Sequence, residues 1–486
     1  EDAAVSLTGV AAGAVGKAAT VSLRTSAGAL SIAKPISVLG GNLYLGGAAG
    51  LSVADGIAVS TDGGDIGLVA RGAASLGAGS SVSSAGGDVA VDLGTAGAFT
   101  MAGSAQIATA GGSVQVSAAG VALGRIDATA AQGASGNLVI DAGTGAISSA
   151  LAANSGDWNL AGADLVLVGA AGIGGSTDAS RIRTAVARIA AQAGDGSGAG
   201  DIRILEKDAI AIAPLGALSL SVVRETGVSV ADGIAARSGL RTGSGGAVSL
   251  TTLAGSIAVS GDAMLDQGLA VRAGSGGITL VAGGADSDVS ISGTSLATID
   301  LAGGTAWTAS GAIRIEAGRH LTMDAQSALA SGNSTVTLKA GGTVTLGRAH
   351  AMVFIDRFAD RGISGAGAAP GSLSIEAGGA IALATGLGLN GKPVLASGAL
   401  SLKAGQGIAA MTVAAETLVA LAGTGSIDLT DIDSLGSANA GLSLTDVQAN
   451  AGGVSIRSAG AVQATKVRAA ADAVLSLESG GALTLF

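Results

Sequence analysis

The chain has 486 residues, with 84 Gly, 4 Pro, no Cys and a formal net charge of −10. Aromatic residues make up 1% and charged residues 12%, about half the charged share of an ordinary globular protein. That supply cannot fill a large globular core or furnish the aromatic girdles of an outer-membrane barrel. No apolar run reaches the roughly 18 residues of a membrane helix. An acidic body without a basic stripe is also a poor partner for nucleic acid or an anionic membrane. Absence of Cys fits several compartments, secretion included. The opening EDAAVSLTGV has neither an initiator Met nor a signal-peptide pattern, so a mature product or a slice of something longer is expected.

From the N-terminal end, one phrase restarts again and again. A glycine-rich turn is followed by an apolar residue: GKAATVSL places Val21, GGNLYL Leu43, GGDIGL Ile66, GGDVAV Val89, GGSVQV Val114 and SGNLVI Leu138. SGDWNL is read as placing Trp158, so the steps are 22, 23, 23, 25, 24 and 20. A fixed period of this size marks a stacked-repeat architecture. Within a repeat the period is two. Val89, Val91 and Leu93 share one face, and Asp88, Ala90 and Asp92 the other. FTM and QIATA follow after short turns, so each repeat reads as three short strands with glycine at the corners. Stacked on their counterparts, such strands make an all-β, single-stranded parallel β-helix, or β-solenoid. About 20 rungs of roughly 19–25 residues would give a rod on the order of 100 Å. A single continuous β-helix over 1–486 is expected.

Residues 175–210 are read as irregular rungs. ASRIRTAVARIAAQA also admits a short helix, but DIRILEKDAIAI resumes strand alternation. Further on the phrase becomes IRIEAG at Ile313, VTLKAG at Val336, LSIEAG at Leu373, LSLKAG at Leu400, VSIRSAG at Val454 and LSLESG at Leu475. The gaps are 23, 37, 27, 54 and 21, and the longest spans a weaker rung near GLSLTDV. Arg314, Lys339 and Arg457 are expected to face outward. Residues 349–371 are expected to bulge as an inserted loop or short helix.

These phrases, with RIRTAVARIAAQAG…GDIRILEKDAI, resemble the large bacterial exoproteins of the filamentous-haemagglutinin type, exported by two-partner secretion. The resemblance covers nearly the whole chain, although autotransporter passengers share its texture. It implies a right-handed parallel β-helical shaft outside a Gram-negative cell, used for adhesion, biofilm cohesion or delivery of a terminal effector. The family's secretion domain carries an Asn-Pro-Asn type motif that is missing here, so the resemblance implies shaft. It supplies no catalytic residues.

The chemical candidates are sparse. GLGLNGKP places Pro393 where a phosphate-binding loop needs Ser or Thr. GGADSDVSI, with Asp286 and Asp288, partly matches a calcium-binding nonapeptide, and Asp428, Asp431 and Asp433 form a second acidic group. Calcium takes several carboxylate oxygens; solvated outward carboxylates are the plainer reading, and no cofactor is expected. His320 and His350 lack the neighbours a zinc site needs. The 349–371 bulge gathers His350, Phe354, Asp356, Arg357, Phe358, Asp360 and Arg361 as candidates for partner binding. It is also the one wall available to a carbohydrate-active β-helix enzyme; the plainer reading is a loop covering a core edge.

The expected function is therefore structural and adhesive: the shaft of a secreted fibre rather than an enzyme. Its expected partners are a host or neighbouring-cell surface, matrix polysaccharide or other copies of itself. The alternative is a filament subunit that joins head to tail through open strand edges.

Overall fold

The computed structural model describes residues 10–12, 20–153, 155–175, 177, 180–194, 198, 200–261, 269–300, 308–309, 311–331, 334–350, 371–387, 393–432 and 441–486. No α-helix occurs among them. The chain divides into two compact units, 1–210 with 214–238, and 211–213 with 239–486. Each is a parallel β-solenoid whose strands pair with those of the rung before and the rung after.

In the first unit three faces recur. The first face carries Val21–Arg24, Leu43–Gly47, Ile66–Ala70, Val89–Asp92, Val114–Ser117 and Leu138–Asp141. The later halves of Leu160–Gly169 and Ile182–Ala193 extend it. The register aligns Leu43, Ile66, Val89, Val114, Leu138, Leu165 and Ile189 into one buried column. Leu45, Leu68, Val91, Val116, Ile140 and Leu167 form another. The second face stacks Leu30, Leu51, Ala74, Phe99, Val121 and Ile147. Phe99, among the largest fully buried side chains, thus lies beside the small Ala74. The third face stacks Ile36, Val59, Val82, Ile107, Ile126 and Leu160.

Trp158 does not begin a rung. SGD imitates the corner phrase, but residues 155–158 are not strand, and Leu138 pairs with Leu165. The corner residue is Asp164, in AGADLVLV, whose amide donates to Asn137 Oδ1. ASRIRTAVARIAAQA contains the twelve-residue strand Ile182–Ala193.

The restart phrase has a steric cause. A Cβ on Gly64, Gly87, Gly112 or Gly136 would run into the glycine carbonyl of the preceding rung. Glycine at this corner therefore lets rungs approach to the hydrogen-bonding distance of about 4.8 Å. The AG phrases of the second unit repeat the device with Gly318, Gly341, Gly378, Gly405 and Gly423.

In the second unit Val248, Ile278, Ile313, Val336, Leu373, Leu400 and Leu418 form one inward column. Arg314, Lys339 and Arg457 face outward. Two residues beyond Arg314 runs an outward column of alternating charge, Glu316, Lys339, Glu376 and Lys403. Lys339 Nζ lies 3.8 Å from a Glu376 carboxylate oxygen. Exposed pairs of this kind contribute little stability, but a slip of one rung would set like charges side by side. The later phrases leave this column. Leu418 pairs with Leu444, in the rung anticipated near GLSLTDV. Val454 and Leu475 instead stack on Ile427, which stacks on Ile408 and Ile381. VSIRSAG and LSLESG thus continue the phrase on a different face.

One inward column of the first unit ends in polar groups. Leu160 is followed by Thr184 and then Glu206, both 0% exposed. Thr184 Oγ1 donates to Glu206 at 2.6 Å, and the Val186, Lys207 and Asp208 amides also donate to its carboxylate. Burial outweighs these bonds and raises the carboxyl from 4.5 to about 7.

Gly112→Ala should cost roughly 1–3 kcal/mol by overpacking, whereas Gly28→Ala, where a Cβ meets nothing within 4 Å, should be close to neutral; thermal unfolding of the two variants compares them. For Glu206, the folded state holds a proton that the unfolded chain releases near pH 4.5. Its contribution is therefore complete below about pH 4.5 and is lost as pH rises to about 7, with a slope of at most about 1.4 kcal/mol per unit. Hydrogen exchange at Thr184 and Val186, corrected for intrinsic rates, should show protection declining across that window. Glu206→Gln should flatten the decline.

Candidate functional site

A half-exposed strand alternates apolar and polar residues. Several strands on the first face of the first unit do not. IGLVA, LVID and LVLVG are apolar on both sides, and Tyr44, Ala90, Val139, Val166 and Ala190 point away from the solenoid core yet are buried. What covers them is an antiparallel hairpin, Leu218–Val223 with Ser229–Ile234, which the repeat pattern did not reveal. Its signal was two short alternating runs, LSLSVV and VSVADGI, around RETG. Arg224 N donates to Val228 O and Gly227 N to Arg224 O, with Gly227 at φ +78. Together these close a three-residue loop with glycine in the left-handed region.

The hairpin lies across the rungs. At its base Arg237 donates to Gln192 at 3.1 Å, and Leu215 pairs with Arg237. At its tip Ser22 Oγ donates to the Glu225 carbonyl and Arg24 to the Glu225 carboxylate, at 2.8 and 3.0 Å. Between these points lie eight rungs, or seven steps of about 4.8 Å, near 34 Å. Ten residue steps of antiparallel strand at about 3.4 Å give the same span. Leu215, Leu218, Leu220 and Ile234 pack on Val139, Val166, Val168 and Ala190. Val223 sits over Gly67, where a Cβ would strike it.

Three corner residues serve both the rungs and the hairpin. Asn42 Oδ1 accepts from Asp65 N, while its amide nitrogen donates to the Gly227 carbonyl and the Ser229 hydroxyl. Asp65 Oδ1 accepts from Asp88 N and its Oδ2 from the Ser229 hydroxyl. Asp88 Oδ1 accepts from Ser113 N and its Oδ2 from Ser221 N. Forked side chains in GGN, GGD and GGD thus hold the next rung with one arm and the hairpin with the other.

Beside the tip lies a groove of about 460 Å³. Arg24, Arg71, Tyr44 and Glu225 line it, over a floor of Gly46, Gly47, Ala48 and Ala70. Tyr44 is the only tyrosine of the chain and is 9% exposed. Its ring occupies the space that a Cβ on Gly46 would need. Burial, helped by the nearby Glu225 charge, raises its hydroxyl above the ordinary value, so it stays a hydrogen-bond donor at neutral pH.

The acidic candidates are dispersed and engaged. Both Asp288 oxygens receive the Arg319 guanidinium, and Oδ1 also accepts from His320 N. The Arg319 bond is the main reason that the Asp288 carboxyl lies below its ordinary value. Asp286 is exposed in the preceding turn. Asp428 lies 3.6 Å from Arg457, whereas Asp431, buried, accepts from Ser458. Residues three apart on a strand point to opposite faces, so these two cannot share an ion. Asp433 lies outside the described residues, as do Phe354, Asp356, Arg357, Phe358, Asp360 and Arg361. His350 ends the strand Arg348–His350. Among the described residues no group of three or more His, Cys, Asp or Glu is placed to hold a metal, and no helix is long and apolar enough to cross a membrane. No family model, curated protein or solved structure matches the chain.

Gly67→Val should lift the hairpin from its seat. Limited trypsin digestion is expected to cut after the exposed Arg224 at least several-fold faster in that variant, with the rungs still intact by circular dichroism. An unchanged cutting rate would mean that the Val223 contact does not hold the hairpin.

Proposed function

We propose that the protein is the shaft of a secreted bacterial surface fibre, akin to the filamentous-haemagglutinin type of exoprotein, whose work is reach and display rather than catalysis. The observation that carries this reading is the in-register pairing of rung on rung within each unit. Such an architecture adds length with each repeat. Its stability is expected to be a sum of neighbour terms. Outward hydroxyls support the reading: Ser31, Ser52, Ser75 and Thr100 occupy successive rungs of one face. They form a polar, weakly charged surface suited to contact with other cells, matrix polysaccharide or further copies outside a Gram-negative cell.

Negative-stain imaging over a range of concentrations tests the proposal. Single elongated particles whose length does not change with concentration are expected. End-to-end growth would replace the shaft by a self-assembling filament subunit, and compact globules would overturn both.

A further inference from the structure

We propose that the groove at the hairpin tip binds the carboxylate of an acidic saccharide. Three observations on one surface carry this. Firstly, two guanidiniums, Arg24 and Arg71, and one carboxylate, Glu225, line the groove, with Asp92 a second carboxylate whose charge also reaches Tyr44. Arg24 is held by Glu225. The Arg71 guanidinium has no ion-pair or hydrogen-bond partner among the described residues, so its fork is open to a carboxylate. Secondly, Tyr44 is more than nine-tenths buried, yet its hydroxyl lines the groove and makes no hydrogen bond to a described residue. The hydroxyl itself is not enclosed: it keeps contact with solvent, and its open side is the groove. Thirdly, the walls and floor are backbone, glycine, alanine and short hydroxyl residues, with Val69 the one bulky aliphatic side chain.

The third observation selects the rest of the ligand. An acyl chain or an apolar peptide side chain would meet a lining more polar than apolar. A ring rich in hydroxyls would find polar side chains there, among them Glu225, Ser26 and the two arginines. The groove volume of about 460 Å³ falls in the range of small-ligand clefts. Arg71 would take the carboxylate in a forked pair, Tyr44 would donate to a carboxylate or ring oxygen, and Glu225 would accept from sugar hydroxyls while holding Arg24. The hairpin thereby acquires a second use, because without its tip the groove lacks Glu225. The proposal rests on the surface-shaft reading only for where such a saccharide would be met.

Because Tyr44 is the sole tyrosine, the full chain carrying isotope-labelled tyrosine has one reporter signal, and it sits in the groove. The probes are digalacturonate, a glucuronate-containing disaccharide and sialyllactose, with the dimethyl ester of digalacturonate and plain acetate as controls. A saturable shift with at least one acidic sugar is expected, absent with the ester and with acetate at the same concentration. Arg71→Ala, an exposed site, should weaken binding on the order of tenfold or more through loss of a charge-assisted pair. Tyr44→Phe, followed by calorimetry, keeps the ring over Gly46 and should weaken it by a smaller factor. No saturable shift with any acidic sugar, equal binding of the ester, or equal binding of acetate would each overturn the proposal. Elongated particles that fail to bind would overturn the groove and leave the shaft reading standing; binding by compact particles would do the reverse.

Discussion

The structure depends on one distance. Backbone hydrogen bonds between parallel strands hold successive rungs about 4.8 Å apart, and every column of side chains must live with that spacing. Inward columns answer with Val, Leu and Ile stacked on their own kind, and with pairings such as Phe99 beside Ala74. Corners answer with glycine, since a Cβ there would meet a carbonyl of the neighbouring rung. The scarcity of aromatics has the same origin: a narrow core layered at this spacing has little room for large flat rings.

Polar residues are bound by the same geometry. Asn42, Asp65, Asp88, Ser113 and Asn137 each accept the amide of the next corner residue, which satisfies donors that a turn would otherwise leave to water. Ser256, Asp288 and His320 do so in the second unit. Outward charges alternate along Glu316, Lys339, Glu376 and Lys403, so that electrostatics favours the observed register over its neighbours. Glu206 departs from this economy: a carboxyl in an inward column, supplied with four donors and still held toward its protonated form by burial.

The hairpin turns one stretch of sheet from a surface into a second core. Its strands run across the rungs, so its length is tied to the number of rungs that it spans. Its contacts are spread over successive repeats. The forked corner side chains join it to the ladder, and its tip brings a carboxylate from residue 225 to arginines at 24 and 71.

The solenoid was legible because its rules are local and repeated: alternation within a strand, glycine at the corner, and an apolar column recurring at 22 to 25 residues in the early rungs. The outward placement of Arg314, Lys339 and Arg457 was legible for the same reason. The false restart at Trp158 and the change of face before VSIRSAG were not, because a short phrase records a corner but not which strand stacks upon it; only the backbone pairing of Leu138 with Leu165, or of Ile427 with Val454, decides that. The groove was beyond the sequence for a plainer reason. Arg24 and Glu225 are some 200 positions apart in the chain, and Tyr44 reads as one outward residue among many. Sequence alone determined the fold class and the inward faces, since neighbours one repeat apart must match. Tertiary structure decided where the chain turns back over itself, since contacts across many rungs leave no period to read.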